Sequence, residues 1–287
     1  MAFDMTRIVG FIAMGRFARS WELTKASWQT LKADRELLVL PVFSFLASIV
    51  VLGVALALVF VMDYDSAQGL DNFELSGAGT IVLILAGMAL AIVATFFQAA
   101  MVGGARDRLT GGDPTVGSAL GVATSRLGVI VPWALFSWTI GAVLRAIEEN
   151  AGAVGRFVAG LLGMAFRVVT FLAVPILVVE KLGPVNTLKR SGELFKRTWG
   201  ENLIAQVGLG LIGFVAMIPV ILVAVLLGAA VNPILGIIVA VPLVAVIAVV
   251  MTSLTAVFQT ALYHYVTTNE IPDGYQSAGL DSAFARK

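Results

Sequence analysis

Between Glu201 and Glu270 the chain runs for 68 residues without one Asp, Glu, Lys or Arg. About 20 apolar residues carry a helix across the hydrocarbon of a bilayer, so this run is too long for one crossing and fits two, joined by the turn formers Gly228, Asn232 and Pro233. Further charge-free runs mark three earlier crossings, the third from Leu127 to Leu144 just before Arg145, and a fourth is interrupted only by Arg167. The spans read as about 37–62, 80–102, 127–147, 157–179, 204–228 and 234–262. Composition agrees: 59% of the 287 residues are apolar and 13% charged, with a mean hydropathy of +0.96. Soluble domains average roughly 45–50% and 25%. The few charges are clustered rather than spread over a surface, which excludes a water-soluble core.

Basic residues near span ends stay on the cytoplasmic side. With six spans, the N-terminal segment, the Gly103 to Arg126 loop, the Glu180 to Asn202 loop and the tail share one side, and together they hold 16 of the 19 Lys and Arg. The opposite side has the acidic loop with Asp63, Asp65, Asp71 and Glu74, and a short loop with Glu148 and Glu149. Both termini are therefore expected in the cytoplasm. The expected organisation is a cytoplasmic amphipathic segment over 1–36, a transmembrane domain over 37–266 and a cytoplasmic tail over 267–287. The early apolar run Ile8 to Met14 is short, is broken by Gly10 and lacks a cleavage site, so the first long apolar segment is expected to be retained.

Residue counts exclude several chemistries. No Cys means no disulfide, thiolate nucleophile or cysteine metal site, and the single His264 cannot build a multi-histidine site. A net charge of +1 excludes nucleic-acid binding driven by bulk charge. Neither a metal nor a cofactor is expected.

The cytoplasmic segments repeat. Ser20, Glu22, Leu23, Lys25, Ser27 and Trp28 recur 171 positions later as Ser191, Glu193, Leu194, Lys196, Thr198 and Trp199, the pattern S-x-E-L-x-K-x-[ST]-W. At helical spacing Phe17, Trp21, Thr24, Trp28 and Leu31 fall on one side and Arg16, Arg19 and Lys32 off it, as suits a helix in the headgroup layer. Trp21, Trp28, Trp199, Lys25 and Lys196 are then interfacial anchors. Phe97-Gln98-Ala99-Ala100-Met101 is echoed by Phe258-Gln259-Thr260-Ala261-Leu262, and Pro114 leads into a middle segment as Pro184 does into the third. The fold class that follows is all-α and polytopic: six transmembrane helices in three hairpins, each preceded by a cytoplasmic interfacial amphipathic helix. The alternative is that basic aromatic helices before spans are generic anchors.

The stretch Pro184 to Trp199, with Lys189-Arg190-Ser191-Gly192-Glu193-Leu194-Phe195-Lys196, and the tail Glu270-Ile271-Pro272-Asp273-Gly274-Tyr275 running to Ala283-Phe284 resemble a broad group of uncharacterised bacterial integral membrane proteins. They are also similar to the membrane domain that precedes the catalytic domain of some glycerophosphodiester phosphodiesterases. The resemblance implies a multi-pass bacterial inner-membrane protein with no assigned activity. The soluble phosphodiesterase domain with its acids and histidines is not in this sequence, so that activity is not implied.

Arg167 is the first candidate ligand-binding residue, because a charge near the bilayer centre costs roughly 2.5–3.5 kcal/mol on the mildest scale. Arg156, Gly160, Gly163, Arg167, Thr170 and Val174 share one helical stripe, which is expected to face the bundle interior with Arg156 and Arg167 on it. Its partners would be backbone carbonyls, Gln98, Gln259, water or a lipid phosphate. The competing reading is an arginine bonded to carbonyls at a helix break. Five prolines within spans, Pro41, Pro132, Pro175, Pro219 and Pro242, read as ordinary membrane-helix kinks. Gly208, Gly210 and Gly213 spell G-x-G-x-x-G, but inside an apolar span they read as helix packing. The acidic loop lacks EF-hand spacing, and Tyr263, His264 and Tyr265 fit an interfacial belt.

Two functions compete on these residues. One is a non-enzymatic accessory or scaffold subunit with membrane lipids and other membrane proteins as partners. The other is a small carrier or channel for a lipid or anionic solute with Arg167 as its charge. A membrane enzyme ranks below both, because no histidine cluster or serine–histidine pair is recognisable.

Overall fold

The computed structural model describes residues 24–63, 75–197, 199–230, 232–272 and 275; for 35, 197, 199–209, 211 and 212 it describes the backbone alone. It is a multi-pass, all-α membrane protein, with six helical stretches long and apolar enough to cross a bilayer among the described residues. A short helix α1 (24–33) and a 3-10 turn (Arg35–Leu38) lead into α2 (Val39–Asp63) and α3 (Gly77–Leu109). Next come α4 (Val116–Thr124), α5 (Leu127–Asn150), α6 (Ala153–Val169) and α7 (Ala173–Val179). The last three are α8 (Pro184–Arg197), α9 (Trp199–Ala230) and α10 (Pro233–Thr268). The order is three times a short helix followed by a hairpin, as the sequence repeat implies.

Helix ends follow local chemistry. Asn232 caps α10 by accepting from Ile234 N at 2.8 Å, and Pro233 follows at the first helical position, where a missing N–H costs nothing. The ends of the first hairpin are tied by Asp63, whose carboxylate accepts from Ser76 N at 3.1 Å and Ser76 Oγ at 2.5 Å. Asp63 thus serves the start of α3; Asp65, Asp71 and Glu74 lie outside the described residues.

Two compact units result, one from Met1–Leu38, Gly104–Val116 and Gly192–Lys287, the other from Val39–Gly103 and Gly117–Ser191. In the first, α9 and α10 cross closely at Gly236: a Cβ there would stand 2.5 Å from the Ala224 carbonyl oxygen, so only glycine fits. Gly213 meets Met251 across the same pair, and Gly208, Gly210 and Gly213 all lie within the continuous helix α9, which leaves no loop to cradle a phosphate. In the second, α5 packs on α6, and Trp133, Ala173 and Leu177 form a core flanked by Val129, Phe136 and Leu188.

Burial divides each hairpin's second helix in two. Its beginning is apolar and exposed, as in Ile81 and Leu85 of α3, Phe157 and Leu162 of α6, and Ile237 and Val241 of α10. Its end is buried: Ala99 to Val102 in α3, Leu172 to Val178 around α7, and Ala256 to Tyr263 in α10. Exposed apolar surface on this scale is stable only against lipid.

Each short helix docks by its buried face at the end of one of these second helices. Val122 of α4 touches the backbone of α3 at Gly103, where a Cβ would collide with it. Ser191 of α8 bonds the end of α6, and Ser27 of α1 bonds Tyr275 just after α10. The short helices are amphipathic as expected, but their buried faces carry small polar residues: Thr24, Ser27 and Thr30 on α1, Thr187 and Ser191 on α8. Relative to the sequence reading, the α1 stripe rotates by one residue, from Trp28 to Ser27, because that face meets protein rather than headgroups.

Candidate functional site

The fourth crossing is discontinuous. Pro175 has no N–H to give the carbonyl of Phe171, and its ring disfavours a helix through that turn. Ala173 N turns instead to Thr170 O at 2.9 Å, and Phe171 N to Val168 O at 3.3 Å. These shorter bonds leave Val169 O without its helical donor, and Ser191 Oγ supplies one from α8 at 2.5 Å. Thr170 Oγ1 donates to Phe166 O at 2.7 Å, reinforcing the stop. The break is satisfied from within the protein.

Beyond it α7 is sunk in the unit: Ala173, Val174, Pro175, Ile176, Leu177 and Val178 are all buried. Its last carbonyls face the boundary of the crossing. Val178 O accepts from Arg126 Nε at 2.9 Å, where a cation also complements the negative end of the helix. Arg126 Nη1 donates to Ser125 Oγ at 3.1 Å. Arg190 Nε lies 3.1 Å from both carboxylate oxygens of Glu180. Lys181 then takes φ 56°, a left-handed conformation that costs a side-chain-bearing residue about 1–2 kcal/mol and that glycine adopts freely.

Arg167 is not in the interior. It sits exposed in the last turn of α6, and Arg156 is exposed near the start of the same helix. The expected inward stripe is corrected: Ala159 is the buried residue of α6, while Gly160 and Gly163 only graze α5, since a methyl placed on either would stand 3.9 Å from Glu148 or Leu144. The helix ends two residues later, so Arg167 stands in the last turn of α6, where positive charge is favoured. Gln98 is half-buried in the second half of α3 and Gln259 is buried near the end of α10. Gln98 belongs to the second unit, with Arg156 and Arg167, and Gln259 to the first.

Of the anchors, Lys25 and Lys196 are exposed at matching repeat positions. Trp28 is half-buried with Lys32 Nζ 5.5 Å above its ring, a cation–π contact. Trp21 lies outside the described residues, as does the side chain of Trp199. Tyr263 is buried, and His264 and Tyr265 are half-buried.

Two further pairs in the first unit escaped the sequence reading. Tyr275 and Ser27, both fully buried, share a hydroxyl hydrogen bond of 2.6 Å across 248 residues. Burial pushes the Tyr275 phenol above its usual range, against a smaller pull from Ser27. Asp34, just before the first span, has its carboxylate 3.1 Å from Arg108 Nε at the end of α3. Burial raises the Asp34 carboxyl above its usual range, Arg108 opposes this, and Asp113, Glu36 and Asp107 add to it. Tyr275 stood within the tail motif and Arg108 among the basic loop residues, but neither spacing nor periodicity points to a partner so distant in sequence. Among the described residues, no group of three or more acids and histidines is placed to hold a metal.

No curated protein matches the chain. Residues 77–272, from the start of α3 to the turn after α10, match a described family of unknown function, and the chain belongs to that family, DUF6159.

Proposed function

We propose that this protein is a non-enzymatic subunit of a larger bacterial inner-membrane assembly, with both termini cytoplasmic, and that the assembly handles lipids. The observation that carries the reading is α2. It is 25 residues long, about 38 Å, yet only Leu40, Pro41, Ala55 and Val59 are buried. Leu46, Val50, Gly53, Ala57 and Val61 fall on one exposed stripe, and among the described residues nothing beyond the adjoining helix backbone lies within 4 Å of a methyl built at Gly53. Small residues four apart let a second helix backbone approach closely, which is how membrane helices associate where lipid offers no hydrophobic gain. The carrier reading draws on the discontinuous fourth span, a device for substrate sites at broken helices. Here the freed Val169 carbonyl already has Ser191 as donor and Arg167 faces outward, so a scaffold accounts for more of the geometry.

Two measurements test this. The chain has no Cys, so Ala57→Cys puts a single thiol on the α2 stripe for cross-linking within membranes. One membrane protein should be captured at Ala57→Cys, co-purify with wild type in mild detergent, and be lost in Gly53→Leu. Recovery of lipid alone, or of the same proteins from a control thiol at exposed Leu226 of α9, overturns the reading. So does a loss of solute uptake by reconstituted vesicles in Arg167→Gln with folding intact, which would establish the carrier.

A further inference from the structure

The third crossing starts where the fourth ends, so Arg126, the residue before α5, and Lys181, two residues past α7, stand at one boundary of the bilayer in one unit. Arg126 is fixed before any ligand arrives. Its Nε is engaged by Val178 O and one Nη1 hydrogen by Ser125 Oγ. A guanidinium carries five N–H donors, and no described residue takes the other three. The side chain is half-buried, so this open edge points from a rigid, partly desolvated mount. Planar guanidinium edges match the oxygens of phosphate, and charge-assisted bonds are the strong ones.

Lys181 supplies the second cation. It is exposed, and it holds a left-handed backbone position that glycine would fill without strain. Folding alone does not ask for a lysine there. The nearby acid, Glu180, faces Arg190 with both oxygens. Exposed Lys189 on α8 adds positive field on the same stretch of chain.

We propose that Arg126 and Lys181 form a binding site for a phosphate group, either the phosphodiester of an anionic lipid headgroup or free phosphate, at the end of α7. The site is independent of the scaffold reading: it stands or falls on anion binding, and α2 plays no part in it.

The test uses the full chain in neutral detergent, titrated separately with phosphatidylglycerol, phosphatidylcholine and inorganic phosphate, with Tm and tryptophan fluorescence as readouts. Phosphatidylglycerol should raise Tm saturably where phosphatidylcholine does not, and added salt should weaken the effect. Stabilisation by phosphatidylglycerol alone assigns the site to a headgroup; stabilisation by inorganic phosphate as well assigns it to the anion itself. Arg126→Gln should weaken binding about tenfold or more. Lys181→Gly separates binding from folding: it should raise the unliganded Tm by about 2 °C by relieving the backbone, yet weaken binding several-fold. Arg145→Gln and Arg156→Gln, the same charge change in the other halves of α5 and α6, should bind as wild type. The proposal is overturned if Lys181→Gly binds as well as wild type, if Arg145→Gln loses as much as Arg126→Gln, or if neither anion stabilises the wild type. Should Arg126→Gln fail to fold, Lys181→Gly decides alone.

Discussion

The fourth and sixth crossings begin alike, as apolar helices facing lipid, and end alike, as buried segments, but they reach that end by opposite means. α10 runs 36 residues without interruption, and its buried hydroxyls are settled on its own backbone: Ser253 Oγ on Val249 O at 2.8 Å, Thr260 Oγ1 on Ala256 O at 2.7 Å. The fourth crossing stops at Val169, restarts at Ala173, and takes a donor for its freed carbonyl from Ser191, 22 residues away, and one for its final turn from Arg126, 52 residues away. An intact helix satisfies its polar groups within itself and can be buried anywhere. A broken one commits the protein to partners elsewhere in the chain, and those partners become structural requirements.

The largest expected effect tests whether α7 is a true core element. Leu177 is fully buried against Trp133, so Leu177→Ala should cost about 3 kcal/mol in reversible unfolding from mixed micelles. Leu226→Ala, on the exposed side of α9, should stay within about 0.5 kcal/mol. Equal losses at the two sites would show that α7 packs no more tightly than a lipid-facing surface, and the contrast would collapse.

Ser191→Ala then sharpens the point about borrowed bonds. It strands the Val169 carbonyl in a water-poor setting and should cost about 1–2 kcal/mol. Thr260→Ala removes a hydroxyl from a carbonyl that keeps its helical donor, and should cost under about 0.5 kcal/mol of hydrogen bonding once the packing change is corrected by Thr260→Val. If the two are equal, the break is satisfied by some group other than Ser191.

The unit containing α10 borrows one long-range bond as well, just beyond the helix. Asn269 ends α10 in a left-handed turn, and Tyr275 reaches back to Ser27. Tyr275→Phe keeps the ring and deletes the hydroxyl, so about 1 kcal/mol should be lost, together with faster proteolysis after residue 268. Unchanged proteolysis would mean that the ring alone holds the tail.

Much of this was legible in the sequence, and what was not has a common cause. Charge-free runs gave the number of apolar helices, six, because hydrocarbon tolerates so little else, and Asn232-Pro233 marked the start of α10 because capping is local. Pro175 was visible as one of five prolines in spans, but not as the one that breaks its helix. Pro132, Pro219 and Pro242 lie inside continuous helices. At Pro175, Thr170 O accepts the displaced Ala173 N and Ser191 from α8 supplies the freed Val169 carbonyl, and the second of these is tertiary. Arg167 differs for the same reason: the stripe of small residues assumes an unbroken helix, whereas α6 ends two residues later and leaves Arg167 exposed in its last turn. The α1 stripe was read one residue off because tryptophan marks a headgroup face, and here serine and threonine mark a protein face.

The smallest effect concerns a charged tie in the α10-containing unit, Asp34 with Arg108. Burial lifts the Asp34 carboxyl above its ordinary 3.8, and Asp113, Glu36 and Asp107 outweigh part of what Arg108 returns. A raised carboxyl binds its proton more tightly in the folded protein than in the unfolded chain. The stability it contributes is therefore complete below the ordinary value and is lost as pH rises through the folded one. Between about pH 7 and about pH 4, wild type should gain on Asp34→Asn as the solution is acidified, since the variant cannot titrate there. The difference in unfolding free energy between the two proteins, followed across that range, gives the sign directly. A wild type that loses ground on acidification would mean that Arg108 governs the pair, and this unit would then depend on its borrowed charge as strictly as α7 depends on Arg126.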